Sequence, residues 1–268
     1  MRKEPDMCMR VVIDRRASVA EVRLNRPDKL NAIDLAMFRE LEGCSAQLTQ
    51  TPSVRAVILA GNGPSFCVGI DLNALSEGSD ILEMLADKSD IGGNLFQRSV
   101  LQWQRLPMPV IAAIHGHALG GGLQLALGAD IRIISPGAKV SVREVAWGLV
   151  PDMAGTVFLR RLLREDQIRD LVFSGRIVSG EEAYELGLAT RLADDPVAAA
   201  RDLAAEIASM SPDAVRAGKR LLNLGASGAS ESDMLAVEAA EQRALLTSPN
   251  HREAIAAFSD NRPPSYRD

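Results

Sequence analysis

Apolar and polar positions follow two regimes along the chain. Up to about residue 150, short β-prone runs take turns with runs at helical spacing. Residues 9–14 and 19–24 are two such short runs, separated by Arg15, Arg16, Ala17 and Ser18, which predicts a hairpin. Over 33–48 the apolar residues Ile33, Met37, Leu41 and Leu48 fall on one helical face, and Asp34 suits a helix N-terminus. A strand is expected over 56–60. The same order then recurs: a β-branched run at 110–114, a glycine turn, a helical segment at 122–127 and a strand at 130–134. Beyond Pro151 strand signals nearly vanish, and helices are predicted over 156–163, 181–186, 197–210, 212–222, 231–246 and 252–258. Strands alternating with helices indicate a layered α/β core. Residues 80–106 read as a helix interrupted by Gly92 and Gly93, either a hinged flap or a surface helix with an ordinary break.

Composition narrows the function classes. Hydrophobic residues make up 47% and charged residues 24%, so a sizeable core can form, but aromatics are only 4% and the core must rest on aliphatic side chains. A net charge of −5 without a basic stripe excludes a nucleic-acid partner. The N-terminal residues lack a signal-peptide core, and the apolar stretch 110–134 is broken by His115, His117, Gln124 and Asp130, so neither secretion nor a membrane partner is expected and the chain is assigned to the cytoplasm. Cys8, Cys44 and Cys67 have no pair spacing, and His115 and His117 lack further ligands nearby; no metal site is expected.

Chemistry is concentrated in two glycine turns that each follow a strand. The first runs Phe66-Cys67-Val68-Gly69-Ile70-Asp71-Leu72, the second Gly116-His117-Ala118-Leu119-Gly120-Gly121-Gly122. Turns without side chains let backbone N–H groups face a ligand, and the second also opens a helix. Two such donors aimed at one point form an oxyanion hole. A glycine run alone marks a tight turn more often than a catalyst.

Taken together, Leu24-Asn25-Arg26-Pro27 with Asn31-Ala32, Gly69-Ile70-Asp71-Leu72, Ala118-Leu119-Gly120-Gly121-Gly122, and Gly148-Leu149-Val150-Pro151 followed by Gly155 resemble the crotonase (enoyl-CoA hydratase/isomerase) superfamily in order and spacing, over roughly 10–165. The resemblance implies an α/β spiral of repeated ββα units over 1–200, a helical trimerisation region over 201–268, and a homotrimer or dimer of trimers. It implies an acyl-CoA thioester as substrate, with coenzyme A as part of that substrate and no permanently bound cofactor. The Ile70 and Gly121 amides are expected to hold the thioester oxygen. Lys29, Cys67, Ile70, Asp71, Leu72 and Asn73 are expected along the substrate, with Phe258 and Arg262 near its nucleotide end.

The carboxylates choose the reaction. Where the hydratase pattern has two glutamates, this chain has Gln124 and Glu144, and a glutamine cannot exchange a proton near neutral pH. Where that pattern has a glycine eight residues after the second glutamate, this chain has Asp152. Glu144 with Asp152 instead resembles the dienoyl-CoA isomerase branch, which moves double bonds from the 3,5 to the 2,4 positions, with Asp152 as base and Glu144 as acid; that branch has an aspartate in place of Gln124. Isomerisation is therefore the expectation, with hydration of a 2-enoyl-CoA and a noncatalytic acyl-CoA-binding role as alternatives. Structural readings stand beside these: Asp152 as a helix cap, Glu144 as the partner of Arg143, Gln124 as a hydrogen-bonding core residue, Trp147 as packing. A dinucleotide fold is disfavoured, because the Gly61-Asn62-Gly63 turn lacks a third glycine and carries Pro64.

Overall fold

The hairpin closes later than the pattern suggests. In a computed structural model, described over residues 9–71, 79–86 and 92–268, β1 (Val11–Arg16) and β2 (Val19–Leu24) pair in antiparallel register up to Arg16 opposite Val19. Ala17 takes the left-handed conformation that so short a turn demands (φ 51°). Helix α1 (Leu35–Thr49) begins two residues after the expected start, because Ile33 is held extended by a parallel bridge to Ile70; the Asp34 carboxylate then caps the helix by accepting from the Met37 amide at 2.9 Å.

From β2 onward the sheet is parallel. With β3 (Ala56–Gly61), β4 (Val110–Ile114), β6 (Ile131–Ile134) and β9 (Arg191–Leu192), it runs in the order β1-β2-β3-β4-β6-β9. A second sheet joins β5 (His117–Leu119), β7 (Lys139–Ser141) and β8 (Val178–Ser179), and the bridges Ile33 to Ile70 and Cys67 to Ala118 prolong its pattern toward the N-terminus. Each turn of chain thus gives one strand to the large sheet and one extended segment to the small one, which is the spiral the resemblance implied. Segments of two or three residues carry no readable alternation, so the small sheet is not visible in the sequence.

Burial on both faces explains the unbroken apolar strands. Val57 and Leu59 of β3, with Val110, Ala112 and Ile114 of β4, face the main core, which includes Met37, Phe38 and Leu41 of α1. The alternate residues Ala56, Ile58, Ala60, Ile111 and Ala113 face Ala200, Leu203 and Ala204. Those three belong to the helix Pro196–Ala208, so the expected boundary at 200/201 cuts an element packed on the sheet. The next helix, Pro212–Ala226, is pinned by the buried Lys219 ammonium, which donates to the Trp103 and Met108 carbonyls at 3.2 and 2.9 Å and to Asp130 at 2.7 Å. By contrast, Glu231–Leu246 buries none of its residues, and the last helix, Pro249–Ser259, leaves Phe258 87% exposed.

The interrupted segment becomes two helices, Ser79–Ala86 and Leu95–Arg105. Gly92 and Gly93 are both left-handed, and Asn94 with Gln97 forms a reciprocal cap at 3.0 and 3.1 Å. A helix at Glu165–Ser174 was not anticipated, although Ile168, Leu171 and Val172 have helical spacing. Among the described residues no helix is long and apolar enough to cross a membrane, and no three His, Cys, Asp or Glu side chains gather as metal ligands.

Candidate active site

The two glycine turns meet. Gly69 is left-handed (φ 97°), and a Cβ there would lie 2.7 Å from the Leu119 carbonyl oxygen and 3.4 Å from the Gly121 nitrogen. A Cβ on Gly121 would stand 3.6 Å from the Ile70 nitrogen. Among the described residues neither the Ile70 nor the Gly121 N–H has an acceptor. Both residues line one cleft together with Val68, Leu119, Arg143, Glu144, Trp147 and Leu149. Two free donors at one mouth, one of them opening the helix Gly121–Leu127, can stabilise negative charge on a bound carbonyl oxygen.

A buried knot holds the first turn in place. Asn31 is fully buried: its Oδ1 accepts from the Arg26 amide at 2.8 Å, and its Nδ2 donates to the carbonyls of Asn62 and Ser65 at 2.9 and 2.8 Å. The Arg26 guanidinium then donates to Asp71 at 2.6 Å and to the Ala32 carbonyl at 3.1 Å. Asp71 is accordingly tied into the scaffold. Cys67 is also structural: its thiol is fully buried and donates to the Asn31 carbonyl at 3.0 Å, and burial pushes its pKa up to about 12. Its backbone, bonded across to Leu119 and His117, aligns the two turns.

On the opposite wall Glu144 begins a short 3-10 turn, Glu144–Trp147, and is 8% exposed. Gln124, at 1% exposure, fixes its rotamer. The Gln124 Oε1 accepts two backbone amides, Met153 at 2.9 Å and Gly155 at 3.0 Å, which leaves Nε2 to donate to Glu144 Oε1 at 2.6 Å. Gly155 has to be glycine, since a Cβ there would come within 2.6 Å of the Gln124 oxygen. Among the described residues the buried Glu144 Oε2 has no hydrogen-bond partner. Burial raises the Glu144 pKa above its ordinary 4.5, against hydrogen bonds from its own amide, from Gln124 and from the Arg143 amide, and the nearby Asp152 charge raises it further. The result is one carboxyl oxygen, unpaired and protonatable, beside the two free amides.

Burial raises the Asp152 pKa as well, and its charge acts on Glu144, but among the described residues it is not one of those lining the cleft. Nor is it a helix cap, since Ala154, left-handed at φ 61°, occupies that position before Gly155–Leu162. Glu144 and Arg143 form no ion pair among the described residues. Lys29 is exposed on the 3-10 turn Pro27–Lys29, and neither it nor Phe258 reaches this cleft. Arg262 is held by Glu253 at 2.6 and 3.1 Å. Leu72 and Asn73 lie outside the described residues. The roles of Met153 and Gly155 as holders of Gln124 were not foreseen; the glycine at 155 was their trace in the sequence.

A family model described as enoyl-CoA hydratase/isomerase matches residues 14–268. The chain belongs to this family. Among its enoyl-CoA hydratase/isomerase relatives, a short-chain-enoyl-CoA hydratase of Clostridium acetobutylicum is 32% identical, the match covering 94% of this chain and 95% of that protein. A carnitinyl-CoA dehydratase of Proteus mirabilis is 33% identical over 94% and 96%. The crystal structure of an enoyl-CoA hydratase from Bacillus anthracis superposes with a TM-score of 0.88 at 29% identity, over 96% of this chain and 98% of that one. Family membership makes the chain an acyl-CoA-processing enzyme of the crotonase superfamily.

Proposed function

We propose that the enzyme adds water across the double bond of a 2-enoyl-CoA. The unpartnered Glu144 Oε2 beside the free Ile70 and Gly121 amides carries this reading. Ionised Glu144 takes a proton from water as the water oxygen bonds to C3. The C2–C3 π electrons move toward the thioester, and the resulting enolate oxygen is held by the two amides. The protonated Oε2 then returns its proton to C2, the carbonyl re-forms, and one water has been added. Gln124 keeps Oε1 occupied throughout and exchanges no proton. Coenzyme A enters and leaves as part of the substrate.

Support also comes from the relatives whose names specify hydration or dehydration. The 3,5-to-2,4 dienoyl isomerisation expected from the sequence needs a second carboxyl at the substrate, and among the described residues Asp152 is not one of those lining the cleft. A single carboxyl also suits a shift of a 3-enoyl to a 2-enoyl double bond, by removing a C2 proton and returning it at C4, and the absence of a second acid-base group at Gln124 favours this as the second reading. Exposed Leu222, Leu235, Leu246, Ile255 and Phe258 on the C-terminal helices support assembly as a trimer, which sedimentation velocity tests.

Ultraviolet absorbance separates the reactions. Loss of the conjugated enoyl-thioester band with a 2-enoyl-CoA is the expected result. No loss there, with a new dienoyl band from a 3,5-dienoyl-CoA, would overturn it.

A further inference from the structure

Arg143 lines the cleft one residue before Glu144, and among the described residues its guanidinium makes no hydrogen bond or ion pair. Buried and half-buried arginines elsewhere in the fold are engaged: Arg26 with Asp71, Arg98 with Glu42, Arg132 with the Leu188 and Ala129 carbonyls. Nor does Arg143 serve the catalytic carboxyl. Only its backbone amide acts on Glu144, and Asp152 is the one charge felt there. The half-buried cation therefore sits in a wall whose other side chains, apart from Glu144, are the apolar Val68, Ile70, Leu119, Trp147 and Leu149, and among the described residues no carboxylate pairs with it. A cleft meant for a plain hydrocarbon chain gains nothing from a guanidinium, which is best matched by a planar carboxylate.

Resting on the thioester reading above, we propose that Arg143 binds a carboxylate at the far end of the acyl group, so that the preferred substrates are 2-enoyl-CoA monothioesters of short dicarboxylic acids. Adjacent α-carbons are about 3.8 Å apart. Because Arg143 and Glu144 also line one cleft, the guanidinium is within reach of an acyl group whose C2 and C3 face Glu144. The mismatch works in both directions: an uncharged acyl end leaves the cation facing apolar surface, and a carboxylate without Arg143 is desolvated without a partner.

The test uses matched five-carbon probes. Binding of glutaryl-CoA and valeryl-CoA, which do not turn over, is measured by calorimetry for the full-length wild-type protein and for Arg143→Gln and Arg143→Lys; turnover is measured with glutaconyl-CoA and 2-pentenoyl-CoA. Wild type should favour the carboxylate member of each pair. Arg143→Gln should lower that preference by roughly tenfold to a hundredfold, the range for a hydrogen bond to a charged group, and Arg143→Lys should restore part of it. An equal loss for both members would assign the cation to the coenzyme A phosphates, and no change would remove it from recognition; either result overturns the proposal. If the binding preference behaves as stated while neither unsaturated probe is hydrated, the hydration reading fails and the Arg143 assignment stands.

Discussion

On one side of the turn at 69–71, Asn31, Arg26 and Asp71 are buried or nearly so, and each polar side chain meets a partner in the protein. On the other side, a few ångströms away, the Ile70 and Gly121 amides, Glu144 Oε2 and the Arg143 guanidinium have none among the described residues. Both regions are polar and both sit against the same core. Buried polar groups are normally satisfied, because each unpaired one costs about 1–3 kcal/mol. The knot obeys that rule and stabilises the fold; the cleft breaks it at Glu144 Oε2 and, among the described residues, leaves further donors open around it. A lesion in the knot should therefore be read in stability, and a lesion in the cleft in rate.

Glu144→Gln should show the largest effect. Loss of the proposed acid-base group should lower kcat by ~10²- to 10⁴-fold. Its stability should move the other way. The raised pKa means that ionised Glu144 opposes folding above its folded pKa and ceases to do so below 4.5, so the variant should melt at or above the wild-type temperature at neutral pH, with the gap closing in acid. A lower melting temperature at pH 7 would put Glu144 in the scaffold.

Asn31→Ala should do the reverse. It strands the Arg26 amide and two carbonyls, and urea denaturation should show a loss of about 3 kcal/mol. Unchanged stability would remove the contrast between the two regions.

Gln124→Ala should fall between them. It frees Glu144 to rotate and leaves the Met153 and Gly155 amides unpaired, so kcat should drop by about tenfold to a hundredfold, the scale of a small misplacement of a reacting group, with a measurable loss of melting temperature.

The smallest effect belongs to Asp152→Asn. Activity requires ionised Glu144 and falls as pH drops through its folded pKa. Removing the Asp152 charge should move that acid limb to lower pH, with kcat at neutral pH changed by less than about tenfold, below the range for loss of an acid-base group. A loss as large as that of Glu144→Gln would return Asp152 to direct catalysis.

Most of the frame was legible in the sequence because it rests on periodicity and turn chemistry. The strand at β3, the helix capped by Asp34, the glycine turns and the helical tail stand within a few residues of their expected places. The superfamily motifs pointed to the Ile70 and Gly121 amides, which the structure places at one cleft without acceptors among the described residues. What escaped depends on side-chain direction. Glu144 and Asp152 have a spacing that suggests a pair; Glu144 opens the 3-10 turn and lines the cleft, while among the described residues Asp152 is not one of the lining side chains. Gln124 looked like a weakened catalyst, and its two backbone partners make it the clamp on Glu144.

The single-carboxyl mechanism has one direct consequence. If Glu144 takes the proton from water and hands the same site's proton back, both additions occur on one face of the double bond. Hydration of 2-pentenoyl-CoA in deuterium oxide, with the product's relative configuration at C2 and C3 read by proton NMR, decides this. The account predicts syn addition of deuterium and hydroxyl. Anti addition would require a second acid-base group across the substrate and would contradict it.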